Sequence, residues 1–315
     1  MAPKVGILIA TYSRPVELGE TLESLLSVST PISHIVVCDA SPREIGLQVE
    51  EICKSFQGVT RVEYLRSSIG SSCVQRNIAA EWLLSQGVDF IQVLDDDTQP
   101  APDYISRLLK ILQSKPNAIG ASGVTSPWSE DTSKAAKAYK FIYWLVGLEG
   151  YKAGQVSRAG CGIPANRHIG EIQQTQWLFG CSLWKAEIFQ KQTYLPQLPG
   201  AALFEDTEFS VRAAKIGNLY VDPNAELRHG YSPNQRPNHA LYSYRFSRNR
   251  WFVISAMPRP ISSKVWYWVS VLFLALLQSL LALKTRGTSD RQEAWQVAKS
   301  TILGSLDALK NKQPL

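Results

Sequence analysis

Phe90-Ile91-Gln92-Val93-Leu94-Asp95-Asp96-Asp97-Thr98-Gln99-Pro100 is the stretch on which the reading of the chain turns. A mainly apolar, strand-forming run ends abruptly in three carboxylates, and Pro100 and Pro102 forbid that strand to continue. In an open α/β sheet, ligands collect just beyond the carboxyl ends of the strands. Neighbouring carboxylates there repel one another unless a cation sits among them. A hard divalent ion that takes oxygen ligands and phosphates is the natural partner. Taken alone, the triplet is either such a cation site or a solvated acidic turn ahead of a helix; the rest of the chain favours the cation.

Outward from this stretch, residues 5–125 alternate two patterns. Strand-like runs cover Val5–Ala10, His34–Cys38, Val59–Leu65, Phe90–Leu94 and Ala118–Val124. Amphipathic stretches near Val16–Ser27, Glu44–Phe56, Ser71–Ser85 and Asp103–Gln113 lie between them. Regular βα alternation predicts a mainly parallel, Rossmann-like, doubly wound sheet with helices on both faces. Polar or small residues follow each of the first four strands: Thr11-Tyr12-Ser13-Arg14-Pro15, Asp39-Ala40-Ser41-Pro42, Ser67-Ser68-Ile69-Gly70-Ser71-Ser72 and the Asp triplet. Each alone is ordinary loop chemistry; together they make one ligand-facing rim. Neither Gly-x-Gly-x-x-Gly nor Gly-x-x-x-x-Gly-Lys-Ser/Thr occurs, so a dinucleotide fold of the usual sort and a P-loop are both unsupported.

Residues 126–175 lose the alternation. They hold an aromatic cluster (Tyr139, Phe141, Tyr143, Trp144) and the glycine-rich Ala159-Gly160-Cys161-Gly162, readable as an acceptor-side insertion or a core hairpin. Gln176–Ser182 reads as a further strand, with Gly180 allowing close backbone approach. Then Phe204-Glu205-Asp206 enters a helix whose apolar positions are 209, 213 and 216, with Gly217 as its stop. Acidic residues in a first turn are favoured by the helix dipole in any protein, so spacing alone gives the pair no function. The same holds for His229, one of four histidines.

At 315 residues, with 45% hydrophobic and 19% charged residues, the chain is globular. Five scattered cysteines with no Cys-x-x-Cys pair predict reduced thiols in a cytoplasmic protein, and the apolar run at the N-terminus is too short for a signal peptide. From Arg228 onward there are 13 Lys/Arg against 3 Asp/Glu, a net of +10, while the rest has 20 against 24, a net of −4. Such a field suits phosphates, anionic lipid or nucleic acid. Nucleic acid is disfavoured, because the basic residues straddle an apolar stretch that duplex recognition does not need. That stretch, Val265–Leu283, has nearly the length of a membrane span, with Trp266-Tyr267-Trp268 at one end and Lys264, Lys284 and Arg286 flanking it. Glu293–Lys310 follows with apolar residues at 295, 298, 302, 306 and 309, an amphipathic helix. We expect a peripheral arrangement on the cytoplasmic leaflet; a single span and a homo-oligomer interface are the alternatives.

The order Thr11-Tyr12-Ser13-Arg14-Pro15, Asp39, Gly70 with Gln75-Arg76-Asn77, Leu94-Asp95-Asp96-Asp97, Glu205-Asp206 with Arg212, and His229 resembles family-two inverting glycosyltransferases. Among these it is most similar to bacterial rhamnosyl- and galactofuranosyltransferases of cell-envelope polysaccharide synthesis. The resemblance runs over roughly residues 4–255. Tyr242-Ser243-Tyr244-Arg245 through Asn249-Arg250, and Gly304–Leu309, also look like parts of those enzymes. Ser13 departs from the family, which usually has Asn there. The resemblance implies a GT-A fold, with a transferase domain over residues 1–255: a nucleotide-binding half, 1–125, and an acceptor half, 126–255. Residues 256–315 would be C-terminal helices for membrane association or oligomerisation. It implies a UDP- or dTDP-linked sugar donor, a glycan or lipid-linked acceptor, and Mn²⁺ or Mg²⁺. Residue by residue, it places Asp95, Asp97 and His229 on the metal. Thr11, Tyr12, Arg14, Asp39, Arg76 and Asp96 fall on the donor. Asp206 falls as the base that takes the acceptor proton, and Glu205, Trp177 and Gly180 fall on the acceptor. A nucleotidyltransferase lacks support in the N-terminal loop, and the phosphatase pattern Asp-x-Asp-x-Thr fails at Gln99. A sugar-nucleotide-binding scaffold without catalysis is the reading from outside enzymology.

Overall fold

Adjacent residues of the inner strands are buried on both sides, which only a sheet covered on both faces requires. In β1 (Val5–Thr11), Ile7 and Ile9 enter one core and Leu8 the other. In β2 (Ile32–Asp39), Ile35 and Val37 oppose Val36 and Cys38 in the same way. A computed structural model describes residues 3–58, 61–126, 133–150, 152–165, 170–230, 238–285 and 287–310. The start of the third expected strand, residues 127–132, 151 and 166–169 of the insertion, and flanking Arg286 therefore lie outside the described residues.

The first half runs β1, α1 (Pro15–Leu25), β2, α2 (Arg43–Ser55), β3 (Val62–Arg66), α3 (Ser72–Ser85), β4 (Phe90–Asp95), β5 (Thr98–Pro100), α4 (Tyr104–Ser114) and β6 (Ala118–Ser126). The second half adds α5 (Lys134–Leu145), β7 (Gln173–Thr175), β8 (Ser182–Lys185), α6 (Glu187–Lys191), α7 (Glu205–Ala213) and β9 (Asn218–His229). Three long helices close the chain: α8 (His239–Ala256), α9 (Pro260–Lys284) and α10 (Thr288–Leu309).

The nine strands form one sheet in the order β3-β2-β1-β4-β8-β6-β9-β5, with β7 also on β9. β8 is antiparallel to β4 and β6, and β5 and β7 are antiparallel to β9, so the other six strands share one direction. This is the expected mainly parallel α/β sheet. One core lies between the sheet and α1, α2 and α4; the other lies under α3, α6 and α7.

Two expectations are corrected. Gln176–Cys181 is not a strand: the backbone there bends past Asp95 and Arg76, and pairing resumes only at Ser182. The chain also returns to the sheet after the triplet, as β5. Pro100 is tolerated because β5 is an edge strand, where a missing N–H costs no ladder bond.

The C-terminal helices pack on one another and, through α8, on α7. A Cβ at Gly304 would meet the Tyr244 carbonyl, so only glycine lets α10 come this close to α8. α10 buries Ala298, Thr301, Gly304, Ser305 and Ala308. Of the apolar positions read from the sequence, only Ala298 faces inward; Trp295, Ile302, Leu306 and Leu309 are exposed. Small residues win the inner face because they permit close packing between helix backbones.

Candidate active site

Side chains that end or follow β1 and β4 meet at one end of the sheet. Thr11 Oγ1 donates to Asp96 Oδ2 at 2.8 Å, and Arg14 Nη1 donates to Asp96 Oδ1 at 2.9 Å and to Asp97 Oδ2 at 3.5 Å. Asp96 is buried, and loss of water raises its pKa to about 6 against the opposing pull of Arg14. Asp95, next along the chain, keeps a third of its side-chain surface open. Asp96 stands in the turn that follows β4, which directs its carboxylate to Thr11 and Arg14.

His229 reaches the triplet by strand pairing. β5 is antiparallel to β9, opposing Thr98 to His229, and Gly230 N donates to the Asp97 carbonyl at 2.7 Å. His229 Nε2 then lies 3.9 Å from Asp95 Oδ2 and 3.8 Å from Asp97 Oδ1. One ligand atom from each of Asp95, Asp97 and His229 lies within 4.8 Å of the others. Two carboxylates and an imidazole on one partly buried spot are a donor set that suits Mn²⁺, and Mg²⁺ less well because of the nitrogen.

Arg76 joins this cluster to the start of α7. Its side chain is 3% exposed, with Nη2 2.7 Å from Asp95 Oδ1 and Nη1 2.7 Å from Glu205 Oε1. The guanidinium also stands over the Tyr194 ring. Its two acidic partners raise the Arg76 pKa further despite burial. A Cβ on Gly180 would lie 3.3 Å from Asp95 Oδ2 and 3.5 Å from Arg76 Nη2, so the backbone at 180 walls this corner.

Glu205 and Asp206 open α7 behind Phe204, which holds a left-handed φ of 73°. Dense protein around them strips water from both carboxyls and raises both pKa values; Arg76 opposes this at Glu205, and the Thr207 N–H opposes it at Asp206. Asp206 Oδ1 accepts from Thr207 N at 2.6 Å and Thr207 Oγ1 at 3.2 Å. Among the described residues, its Oδ2 has no hydrogen bond, whereas Glu205 is held by Arg76.

The remaining expected residues are spread along the rim. Tyr12 is 40% exposed, and its ring packs over Gly70. Asp39 is fully buried at the end of β2, accepting from Ser41, from Arg66 and from the Tyr64 hydroxyl. Trp177 is turned away toward the insertion: Nε1 donates to the Ile163 carbonyl at 3.0 Å, and the ring covers Gly162.

Sequence reasoning missed the residues that hold these in place. Gln75 Nε2 donates to the carbonyls of Thr11 and Cys38, each at 2.7 Å, tying the ends of β1 and β2. Asn249 Nδ2 donates to Leu203 O at 2.9 Å, and Arg248 Nη1 donates to Gln197 O at 3.1 Å, so buried α8 side chains grip the loop that delivers Glu205 and Asp206. Gln75 and Asn249 sat inside motifs noted in the sequence, but their partners are carbonyls distant along the chain, which no local pattern reveals. All five cysteines are free; burial pushes the Cys38 and Cys53 thiols up to about 12, so they are inert packing groups.

A mainly parallel sheet with a carboxylate–histidine cluster beyond its fourth strand defines a GT-A-type glycosyltransferase. The model of "Glycosyl transferase family 2" matches residues 6–162, about half of the chain, and the chain belongs to that family: it is a glycosyltransferase that uses a nucleotide-sugar donor. A relative from Haloferax volcanii, a glucosyl-dolichyl phosphate glucuronosyltransferase, is 23% identical over 276 residues, covering 83% of this chain and 77% of its own. The fold is similar to that of the mannosyltransferase PcManGT from Pyrobaculum calidifontis in complex with GDP-Man and Mn²⁺. Its TM-score is 0.57 at 13% identity, over 99% of this chain and 88% of that one. It is also similar to S. aureus TarS 1-349 in complex with UDP-GlcNAc, with a TM-score of 0.58 at 13% identity, over 96% and 81%.

Proposed function

We propose that the protein transfers a sugar from a nucleoside diphosphate to an acceptor hydroxyl in a single inverting displacement that depends on a divalent cation. Asp95, Asp97 and His229 would hold Mn²⁺ or Mg²⁺, which when bound neutralises charge on the departing diphosphate. Thr11, Tyr12, Arg14 and Asp39 form the base and ribose side of the donor pocket, with Asp96 and Arg76 on the sugar and phosphate side. Asp206 is the general base: its Oδ2 is uncommitted, and lost hydration makes it a better proton acceptor than a solvated carboxylate. Glu205 and Gly180 form the acceptor side, and Trp177 acts there by holding the insertion through Ile163. The supporting observation is the buried Arg76, whose guanidinium spans from Asp95 to Glu205 and so links the cation cluster to the acidic helix start.

Residues 1–125 serve as the nucleotide-binding half, 126–255 as the acceptor half, and 256–315 as a membrane-associating extension on the cytoplasmic side. The H. volcanii relative's dolichyl phosphate substrate supports a lipid-linked acceptor. For α9, lying on the bilayer is supported over crossing it: Tyr267 Oη donates to the Ser247 carbonyl and Arg250 Nη1 donates to Ser270 Oγ, binding the first half of α9 to α8.

The test is turnover of GDP-mannose, UDP-GlcNAc, UDP-galactofuranose and dTDP-rhamnose with Mn²⁺, the released or transferred sugar being read by NMR. We expect one donor to turn over, Mn²⁺ to be required, and the anomeric configuration to invert. Retained configuration, or full activity in EDTA, overturns the mechanism; binding of donors without turnover makes the protein a scaffold.

A further inference from the structure

Helix α5 has no buried residue, although six of its twelve side chains are Tyr, Phe, Ile, Trp or Leu. Tyr139, Ile142 and Leu145 follow helical spacing on its outer side, 54%, 43% and 48% exposed. Its inner side meets α9: the Tyr143 ring is edge-on to Phe273, with centroids 6.1 Å apart. Past the end of α5, the Gly147 turn packs on Trp266. The Arg158 guanidinium lies between Trp144 and Trp266, 5.2 and 3.8 Å from the ring centres. As the chain advances from 143 to 147 along the α5 end, its contacts retreat from 273 to 266, so the two segments run side by side in opposite directions.

α9 repeats the arrangement. Tyr267, Ser270, Val271 and Ala275 are buried toward the protein, while Ile261, Val265, Leu272, Leu276, Leu280 and Leu283 form an exposed stripe along its length. A soluble helix would present polar residues there. Neither α5 nor α9 contains a single Asp or Glu; their charges are Lys134, Lys137, Lys140, Lys264 and Lys284.

We infer that α5 is a second membrane-binding element, which together with α9 makes one surface seated on an anionic lipid bilayer. This rests on the membrane reading given above for the C-terminal helices and extends it into the acceptor half of the enzyme. Charge selects the occupant. A second copy of the chain would set one lysine-bearing, carboxylate-free face against another, whereas anionic headgroups complement the lysines and the acyl boundary takes the apolar side chains. α5 belongs to the acceptor half, so seating it on the bilayer carries that half to where a lipid-linked acceptor resides.

The test is flotation of the full-length protein with phosphatidylcholine vesicles, with and without phosphatidylglycerol. The variants are Phe141→Glu with Ile142→Glu on α5, and Leu272→Glu with Leu276→Glu on α9, each checked for unchanged Mn²⁺–nucleotide binding. Lys134→Glu with Lys137→Glu keeps the apolar face and removes only the charge. We expect the wild type to float with anionic vesicles. Both apolar-to-Glu pairs should cut partitioning by more than about tenfold, and the lysine pair by about fivefold per residue. If the α5 pair floats like wild type while the α9 pair does not, the role of α5 is overturned and the membrane reading stands. If the wild type floats with neither vesicle, both fall. If the α5 pair instead converts a dimer to a monomer with flotation unchanged, the occupant is a second copy and the inference is wrong.

Discussion

The chain carries two acidic clusters, Asp95-Asp96-Asp97 after β4 and Glu205-Asp206 at the head of α7, and they differ in almost everything but residue type. The triplet ends β4 and makes the turn into β5, with cations and hydroxyls around it: Thr11 and Arg14 hold Asp96, and Asp95 and Asp97 face His229. The pair sits in a helix's first turn among atoms that exclude water, so both carboxyls are raised above their ordinary pKa. Burial raises Asp96 of the triplet as well, but there Arg14 and Thr11 oppose it, whereas at Asp206 only Thr207 and the more distant Arg76 do; on the proposed mechanism the first cluster holds the cation and the second supplies the base. Arg76 touches both. The contrast teaches that neighbours, not residue type, separate the clusters: Asp96 is held by Arg14 and Thr11, while Asp206 keeps one oxygen without a hydrogen bond among the described residues.

The sharpest way to break the comparison is to remove the proton acceptor alone. Asp206→Asn should lower transfer by about 10²–10⁴-fold and leave Mn²⁺–nucleotide affinity, measured by calorimetry, unchanged. Equal losses of binding and turnover would show that the two clusters are one site. Next in size is Arg76→Met, which leaves Glu205 without its counter-charge and should cost about 3–5 kcal/mol in denaturant unfolding at pH values where Glu205 is ionised. Here the sign can be fixed: burial raises the Glu205 pKa, so folding favours its protonated form, and stability falls as pH rises through that value. The deficit of Arg76→Met should therefore be small below the raised Glu205 pKa and grow as pH passes above it.

Asp97→Asn acts on the other cluster. It should weaken Mn²⁺ by at least the roughly 10–100-fold that losing a partner of a metal ligand costs, with little change in unfolding. Asn249→Ala strands the Leu203 carbonyl and should cost about 1–3 kcal/mol; it should also lower kcat more than KM, because the loop delivering Asp206 loosens while the donor rim does not. The smallest effect is the pH profile. A base must be ionised to accept a proton, so the rate should fall about tenfold per unit of pH below the Asp206 pKa. Burial places that limb above the ordinary carboxylate range, and Asp206→Asn should abolish it.

Much of this was legible beforehand because it is local. The runs 5–10, 34–38, 90–94 and 118–124 became strands within two residues at each end, since an apolar β-forming run stopped by polar or breaker residues carries its own boundaries. The end of β4 at Asp95 was readable for the same reason. The loop at Gln176–Cys181 was not, because its Gly180 lies against Asp95 and Arg76, neither of which is near it in sequence. Nor was the inward face of α10, because hydrophobic spacing says which residues share a side but not which side the neighbours take.

The sequence by itself determined the alternating strands and helices, the acidic strand end, and the apolar, basic C-terminal stretch. These follow from short-range sterics and burial, which act over a few residues. Only the tertiary structure decided that β5 pairs with β9 to bring His229 to Asp97, that Arg76 bridges two acidic clusters, and that α8 grips the loop before α7. Those contacts join residues up to about 130 positions apart, and sequence spacing carries no record of which distant partner a side chain meets.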